Sequence, residues 1–289
     1  MFDIWNEKQE LAEAAYQQKN YKIKSVDSRG RGGYCVIYCS SNNIWYPNEE
    51  GAFRDAIIAK DRYEWDRIKC SHASREIYVR DIFKSWYVTG INAEINSIDK
   101  LGELLLTLAR GLPIITVGSS SGGYLATILS YILDAEYAIV FSAQFELRNK
   151  WAYSVNPFLQ KNNDVEERSK YYDLRPWLEK STVPVYYVVP YFFDQDRYSF
   201  NHINGVNCIH PIMFNSRHHG VVMPKCCLTE FISLPQEKLA DISNRCIGKK
   251  LSPFGFSVRQ VGVMKTVKGY MKQGFSKVKR EIKRLRSRY

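Results

Sequence analysis

The sequence predicts an α/β fold, a mostly parallel central sheet flanked by helices. Three observations lead there. Short apolar, β-branched or aromatic runs recur at residues 34–39, 76–79, 114–117, 138–142, 183–189 and 208–214, each about the length of a strand. The segments between them are long enough to bring the chain back for a parallel partner. One of those segments, Gly118-Ser119-Ser120-Ser121-Gly122-Gly123, is a tight turn between a buried strand and an apolar helix.

In chain order, residues 1–20 read as a helix, and residues 21–26 alternate polar and apolar as a strand does. A turn at 28–33 leads into the strand 34–39, where Cys35 and Cys39 share one face as small hydrophobes. That strand ends in Ser40-Ser41-Asn42-Asn43, followed by Ile44-Trp45-Tyr46-Pro47. The strand 76–79 leads into Arg80-Asp81-Ile82-Phe83-Lys84-Ser85-Trp86-Tyr87. Residues 98–110 have helical periodicity and return the chain to 114–117, a β-branched run bounded by Pro113 and Gly118. Residues 124–133 then form a helix that is apolar on several sides. A polar stretch at 149–179 inserts after the strand 138–142, in a position to cover a site. The expected organisation is a catalytic body over residues 1–250 and a basic amphipathic tail over residues 251–289.

Composition narrows the function classes. A hydrophobic content of 45% with 14% aromatic residues belongs to a folded globule. No apolar run reaches the roughly 18 residues needed to span a bilayer. The opening MFDIWNEKQELAEAA is polar and acidic, which predicts no secretory leader. Seven cysteines, an odd number without regular spacing, argue for a reducing compartment rather than a disulfide framework. Cys226-Cys227 and the scattered histidines do not make a zinc spacing. The expectation is a cytoplasmic protein with no metal and no bound cofactor.

The strand, turn and helix around Ser120 supply the context of a G-x-S-x-G nucleophile elbow, written here Gly118-Ser119-Ser120-Ser121-Gly122. Side chains at 118 and 122 would collide with neighbouring backbone in so sharp a turn. The helix that follows points its first amides at the same spot, where they favour developing negative charge. A phosphate-cradling loop is a poorer fit, since no Lys-Ser/Thr follows the glycines. In α/β-hydrolase order an acid and then a histidine come later, each just past a strand. The strand 183–189 is followed by Asp194 and Asp196, of which Asp196 is preferred as the acid. The strand 208–214 is followed by His218-His219-Gly220, and His219 is preferred as the base because Gly220 lets the loop bring its ring back over the sheet. His72, His202 and His210 read as ordinary loop or core residues. Two backbone donors are needed for the oxyanion, one from Ser121 and one from Asn42 or a neighbour within residues 40–43.

Several of these segments together resemble a family. The loop CSSNNIWYP, the segment VRDIFKSWYVTGIN with its R-D-x-x-K-x-W-Y-x-x-G pattern, the elbow VGSSSGGYLA and the late His-Gly are similar to bacterial capsule-locus α/β-hydrolase-fold proteins. That group includes polysaccharide O-acetyltransferases such as the serogroup A meningococcal capsule enzyme, and the similarity covers about residues 30 to 230. The resemblance implies Ser120 as nucleophile, His219 as base, Asp196 as orienting acid and the Asn42 loop in the oxyanion hole. It also implies acetyl-CoA as acyl donor and a polysaccharide hydroxyl as acceptor. Trp45, Tyr46, Trp86 and Tyr87 would suit sugar stacking, although buried aromatics are the commoner use of such residues.

The net charge of +11 is concentrated in one place, since residues 264–289 carry +9 of it. There the apolar residues Met264, Val267, Met271, Phe275, Val278, Ile282 and Leu285 recur every three or four positions among lysines and arginines. Such a segment reads as an interfacial helix on an anionic membrane. Nucleic acid is a poor fit, because the body has no basic patch or recognition motif. The expected protein is therefore a serine-dependent acyltransferase acting on a cell-surface polysaccharide, peripheral at the inner face of the membrane. An esterase with the same triad and a non-catalytic scaffold in polysaccharide assembly are the alternatives.

Overall fold

The computed structural model describes residues 9–25 and 33–286, with the side chains of the last helix described as far as Phe275. The first eight residues of the helix expected over 1–20, and the turn expected at 28–33 except Gly33, lie outside the described residues; Glu10–Tyr16 is helical.

The strands are β1 (Tyr21–Ser25), β2 (Tyr34–Cys39), β3 (Ala73–Val79), β4 (Ile114–Ser119), β5 (Tyr137–Phe141), β6 (Val185–Pro190) and β7 (Ile209–Phe214). They form one sheet in the order β1-β3-β2-β4-β5-β6-β7. Every pairing from β3 across to β7 is parallel, and the edge strand β1 runs antiparallel to β3. This is a mostly parallel α/β-hydrolase sheet with helices on both faces.

Period-two alternation divides the strand residues between two cores. Cys35, Ile37 and Cys39 of β2 face one way, against the helices Ile98–Ala109 and Ser121–Ile132. Val36 and Tyr38 face the other way, into a second core that includes Phe231, Leu239 and Phe256 from three later helices. A strand buried on both faces cannot alternate apolar and polar, which is why β2, β4 and β5 read as continuous apolar runs.

The helix Ile98–Ala109 starts where Ser97 Oγ accepts from the Lys100 amide at 3.2 Å and stops at Arg110, whose φ of 56° breaks the helical path. The helix Ser121–Ile132 is buried over most of its circumference, as its apolar sequence requires. Residues 149–179 fold into short helices; Ala152 and Leu159 from these helices, and Tyr172 from the segment between the last two, join the first core. At the other end, Leu251 bridges to Phe214, and Phe256 packs edge-on against both Phe214 and Phe231. Packing onto the body thus continues through the helix Pro253–Val261.

Strand order reverses direction between β2 and β4, because β3 lies on one side of β2 and β4 on the other. The loops leaving the carboxyl ends of these two strands therefore part, and a crevice opens between them. In open α/β sheets this is where ligands bind.

Candidate active site

Ser120 sits at that crevice, at the end of β4. Its backbone has φ 53° and ψ −124°, a conformation that non-glycine residues rarely adopt. The Ser120 amide donates to the Phe141 carbonyl at 2.9 Å, which holds the turn while the side chain projects above the sheet. The flanking glycines are required by contact. A Cβ on Gly118 would lie 2.0 Å from the Gly122 carbonyl oxygen, and one on Gly122 would lie 2.2 Å from the Cys39 carbonyl oxygen. Both obstacles are backbone and cannot rotate away.

The structure brings Ser120, His219 and Asp196 together from the elbow after β4, the loop after β7 and the helix after β6. His219 Nε2 lies 2.9 Å from Ser120 Oγ, and its Nδ1 lies 3.0 Å from each carboxylate oxygen of Asp196. Asp196 is fully buried in the first turn of the helix Asp194–His202. Asp194, two residues earlier and so about 200° round the helix, has a side chain 85% exposed and pairs instead with Arg197 at 2.8 Å. His218 lines the mouth of the crevice, and its amide donates to Ser216 Oγ at 3.0 Å.

The His219 loop is held at Gly220, through both its amide and its carbonyl. Ser142, just past β5, accepts from the Gly220 amide at 2.8 Å and donates to the Gly220 carbonyl at 3.1 Å. Gly220 has φ 95°, in the left-handed region that favours glycine. The Phe193 ring lies against the imidazole, with 5.2 Å between centroids.

Across the crevice, the Asn42 amide donates to Ser121 Oγ at 2.8 Å, and Ser121 Oγ donates in turn to Asn42 Oδ1 at 2.9 Å. This reciprocal pair ties the loop after β2 to the elbow. The Ser121 amide is the first of its helix, where no carbonyl within the helix can accept from it. Tyr87 Oη braces the same loop by donating to the Ser40 carbonyl at 2.7 Å.

The crevice has a volume of about 500 Å³, and its lining mixes polar groups, Ser41, Asn43, Asn48, Glu64 and Lys84 among them, with the apolar surface of Tyr46, Val155 and Val221. Lys84 is 4% exposed; its ammonium donates to the Trp45 carbonyl at 2.6 Å and to Asn48 Oδ1 at 2.7 Å. Burial pulls its pKa down to about 7, against the opposing pull of Asp81. Burial also pushes the Glu64 carboxyl up, opposed by the Ser41 amide that donates to it at 2.6 Å.

Of the aromatic residues suited to sugar stacking, Trp45, Trp86 and Tyr87 are buried and unavailable. Only Tyr46 of the four, 73% exposed, lines the crevice. The physical reason is packing: Trp45 stands edge-on to Phe53, and Trp86 to Trp151. Sequence reasoning missed Ser142 and Gln144. Gln144 is buried, accepts from Trp86 Nε1 at 3.2 Å and lies 3.5 Å from Ser120 Oγ. The available signal was position, since both follow the carboxyl end of a strand beside the elbow. The insertion 149–179 reaches the crevice at Val155, and Asn156 donates to the Lys84 carbonyl at 3.1 Å.

Neither a protein-family model nor a curated protein matches the chain. Among solved structures it is similar to a protein of unknown function from Staphylococcus aureus, at 14% identity and TM-score 0.42, covering 79% of this chain and 92% of that one. It is also similar to the capsule O-acetyltransferase of Neisseria meningitidis serogroup A, at 14% identity and TM-score 0.44, covering 67% of this chain and 82% of that one. A mutant of that enzyme in complex with CoA is similar at 12% identity and TM-score 0.39, over 64% of this chain and 78% of that one. Identities this low speak to the fold alone, so the functional reading depends on the side chains described above.

Proposed function

We propose that the chain is a serine-dependent O-acyltransferase that moves an acetyl group from acetyl-CoA to a hydroxyl of a capsular or other cell-surface polysaccharide. The observation that carries the reading is the imidazole of His219, within hydrogen-bond reach of Ser120 Oγ on one side and of the buried Asp196 on the other. His219 takes the Ser120 proton as Oγ attacks the thioester carbonyl. The oxyanion is received by the Ser121 and Asn42 amides, the latter exchanging its bond to Ser121 Oγ for the new charge. Collapse breaks the carbon–sulfur bond, His219 returns the proton to the leaving sulfur, and an acyl-serine remains. In the second half, His219 takes the proton of the acceptor hydroxyl as its oxygen attacks the acyl-serine, and on collapse returns that proton to Ser120 Oγ, which leaves as the free hydroxyl. Asp196 holds the imidazole in the tautomer with Nε2 free to accept, and stabilises the imidazolium formed in each half.

Polar side chains in the crevice, Ser41, Asn43 and Tyr46 among them, support an acceptor that carries hydroxyls. The donor and the polysaccharide class are carried by the sequence resemblance. Seven cysteines, all unpaired, support action in a reducing compartment.

The test is acetyl release from acetyl-CoA by the native chain and by Ser120→Ala, with and without capsular glycans. Glycan-stimulated release that disappears in the variant is the expected result. Brisk cleavage of a simple ester with no response to glycan would identify an esterase instead. Inactivity towards both would point to a scaffold.

A further inference from the structure

Over residues 263–275, where its side chains are described, the last helix, Val263–Arg286, packs against the body with the wrong face for a globular protein. The face turned inward carries Thr266, Gly269, Tyr270 and Gln273. Thr266 is fully buried, and a Cβ on Gly269 would lie 2.8 Å from Cys226 Sγ and 2.9 Å from Pro224 Cβ. The Tyr270 ring lies 5.8 Å from that of Phe254, and Gln273 Nε2 donates to the Met223 carbonyl at 3.5 Å. At about 100° per residue, the apolar series Met264, Val267, Met271 and Phe275 falls on roughly the opposite side. These four are 73%, 39%, 56% and 70% exposed. An amphipathic helix normally turns its apolar stripe to the core. Here the small and polar face makes the seal, and the stripe is left on the outside with the exposed Lys265, Lys268 and Lys272 beside it.

From this arrangement we infer that the outer face of this helix is a docking surface for an anionic lipid bilayer, presented while the helix stays seated on the body. The apolar side chains enter the acyl boundary, and the lysines meet the headgroup charge. The positive field extends onto the body, where burial first and then Arg67 and Lys272 hold the Lys225 pKa down. A second copy of the chain is a poorer occupant, since pairing two such faces would bring their cationic flanks together. The helix rests on Met223 and Pro224, a few residues past His219, so docking would hold the crevice close to the membrane surface.

The inference does not depend on the proposed reaction, and its test needs no activity readout. The full chain is co-sedimented with phosphatidylcholine vesicles, with and without phosphatidylglycerol. Binding to the anionic vesicles alone is expected. It should fall at least about tenfold in Met271→Ser/Phe275→Ser, which strips apolar contact from exposed positions and leaves the fold unchanged by circular dichroism. Neutralising Lys265, Lys268 and Lys272 to Gln should weaken binding by about fivefold per lysine. Absence of binding to either vesicle, or binding undiminished by the serine pair, would overturn the inference. So would a concentration-dependent dimer abolished by the serine pair, which would assign the stripe to a second copy.

Discussion

Replacing Asp196 with asparagine separates an orienting role from a merely structural one. The carboxylate is fully buried, and both oxygens lie 3.0 Å from His219 Nδ1. In the proposed reaction, an imidazolium forms against this charge when His219 takes the Ser120 proton. With charge centres about 4 Å apart and an effective dielectric constant near 20, the attraction is about 4 kcal/mol. Losing it slows the step by roughly 10³-fold at about 1.4 kcal/mol per tenfold. An amide can also donate to Nδ1, which leaves the proton on Nε2 and blocks acceptance from Ser120. That error carries the expected loss in kcat towards about 10⁴-fold. Asp194→Asn is the control, because its exposed ion pair with Arg197 is worth at most about 1 kcal/mol and touches no part of the site. The assay is steady-state acetyl release from acetyl-CoA or a chromogenic ester, with thermal unfolding to verify folding. An Asp196→Asn rate within about tenfold of native, or an equal loss in Asp194→Asn, would refute the reasoning.

Two further outcomes follow from neighbouring groups. Ser142→Ala removes both hydrogen bonds that hold Gly220, each worth about 1 kcal/mol, so kcat should fall about tenfold with KM little changed; a KM effect alone would show that Ser142 does not position His219. Asp81 is buried, and burial raises its pKa to about 6 against the bonds it accepts from the Tyr87 amide and Ser85 Oγ. A carboxyl raised in the folded state stabilises below its unfolded value, and that contribution disappears as pH rises through 6. The stability difference between the native chain and Asp81→Asn in chemical denaturation should therefore change by about 3 kcal/mol, against the native chain, between pH 4 and pH 6.5, a comparison that cancels the contribution of Glu64; a difference that does not change with pH would contradict the assignment.

The elbow was legible because its constraints are local. A strand, a sharp turn and a helix within about a dozen residues dictate glycine at 118 and 122, and the structure supplies the reason in backbone contacts near 2 Å. The strands were legible as apolar runs for a related reason, burial on both faces. The order of acid and base also follows from chain direction, since the carboxyl ends of parallel strands all point to one edge of the sheet. Whether Asp194 or Asp196 meets the histidine is a different kind of question. Two residues, about 200° of helical turn, separate a side chain in solvent from one in the core, and only the seating of the helix Asp194–His202 decides it. Ser142 and Gln144 were illegible because their partners lie far along the chain, at Gly220 and Trp86.

The aromatic residues and the last helix show the same division. Composition offers Trp45, Tyr46, Trp86 and Tyr87 equally, and packing turns three of them inward. The periodicity of the last helix names an apolar stripe without saying whether it is covered. By itself the sequence determined the fold class, the elbow and the order of the chemical groups, because these depend on periodicity, turn sterics and chain direction. The tertiary structure alone decided which carboxylate touches His219, which aromatic reaches the crevice and which face of the last helix is buried. Those choices depend on how elements seat against one another, and contacts between residues distant in the chain leave little trace in local sequence.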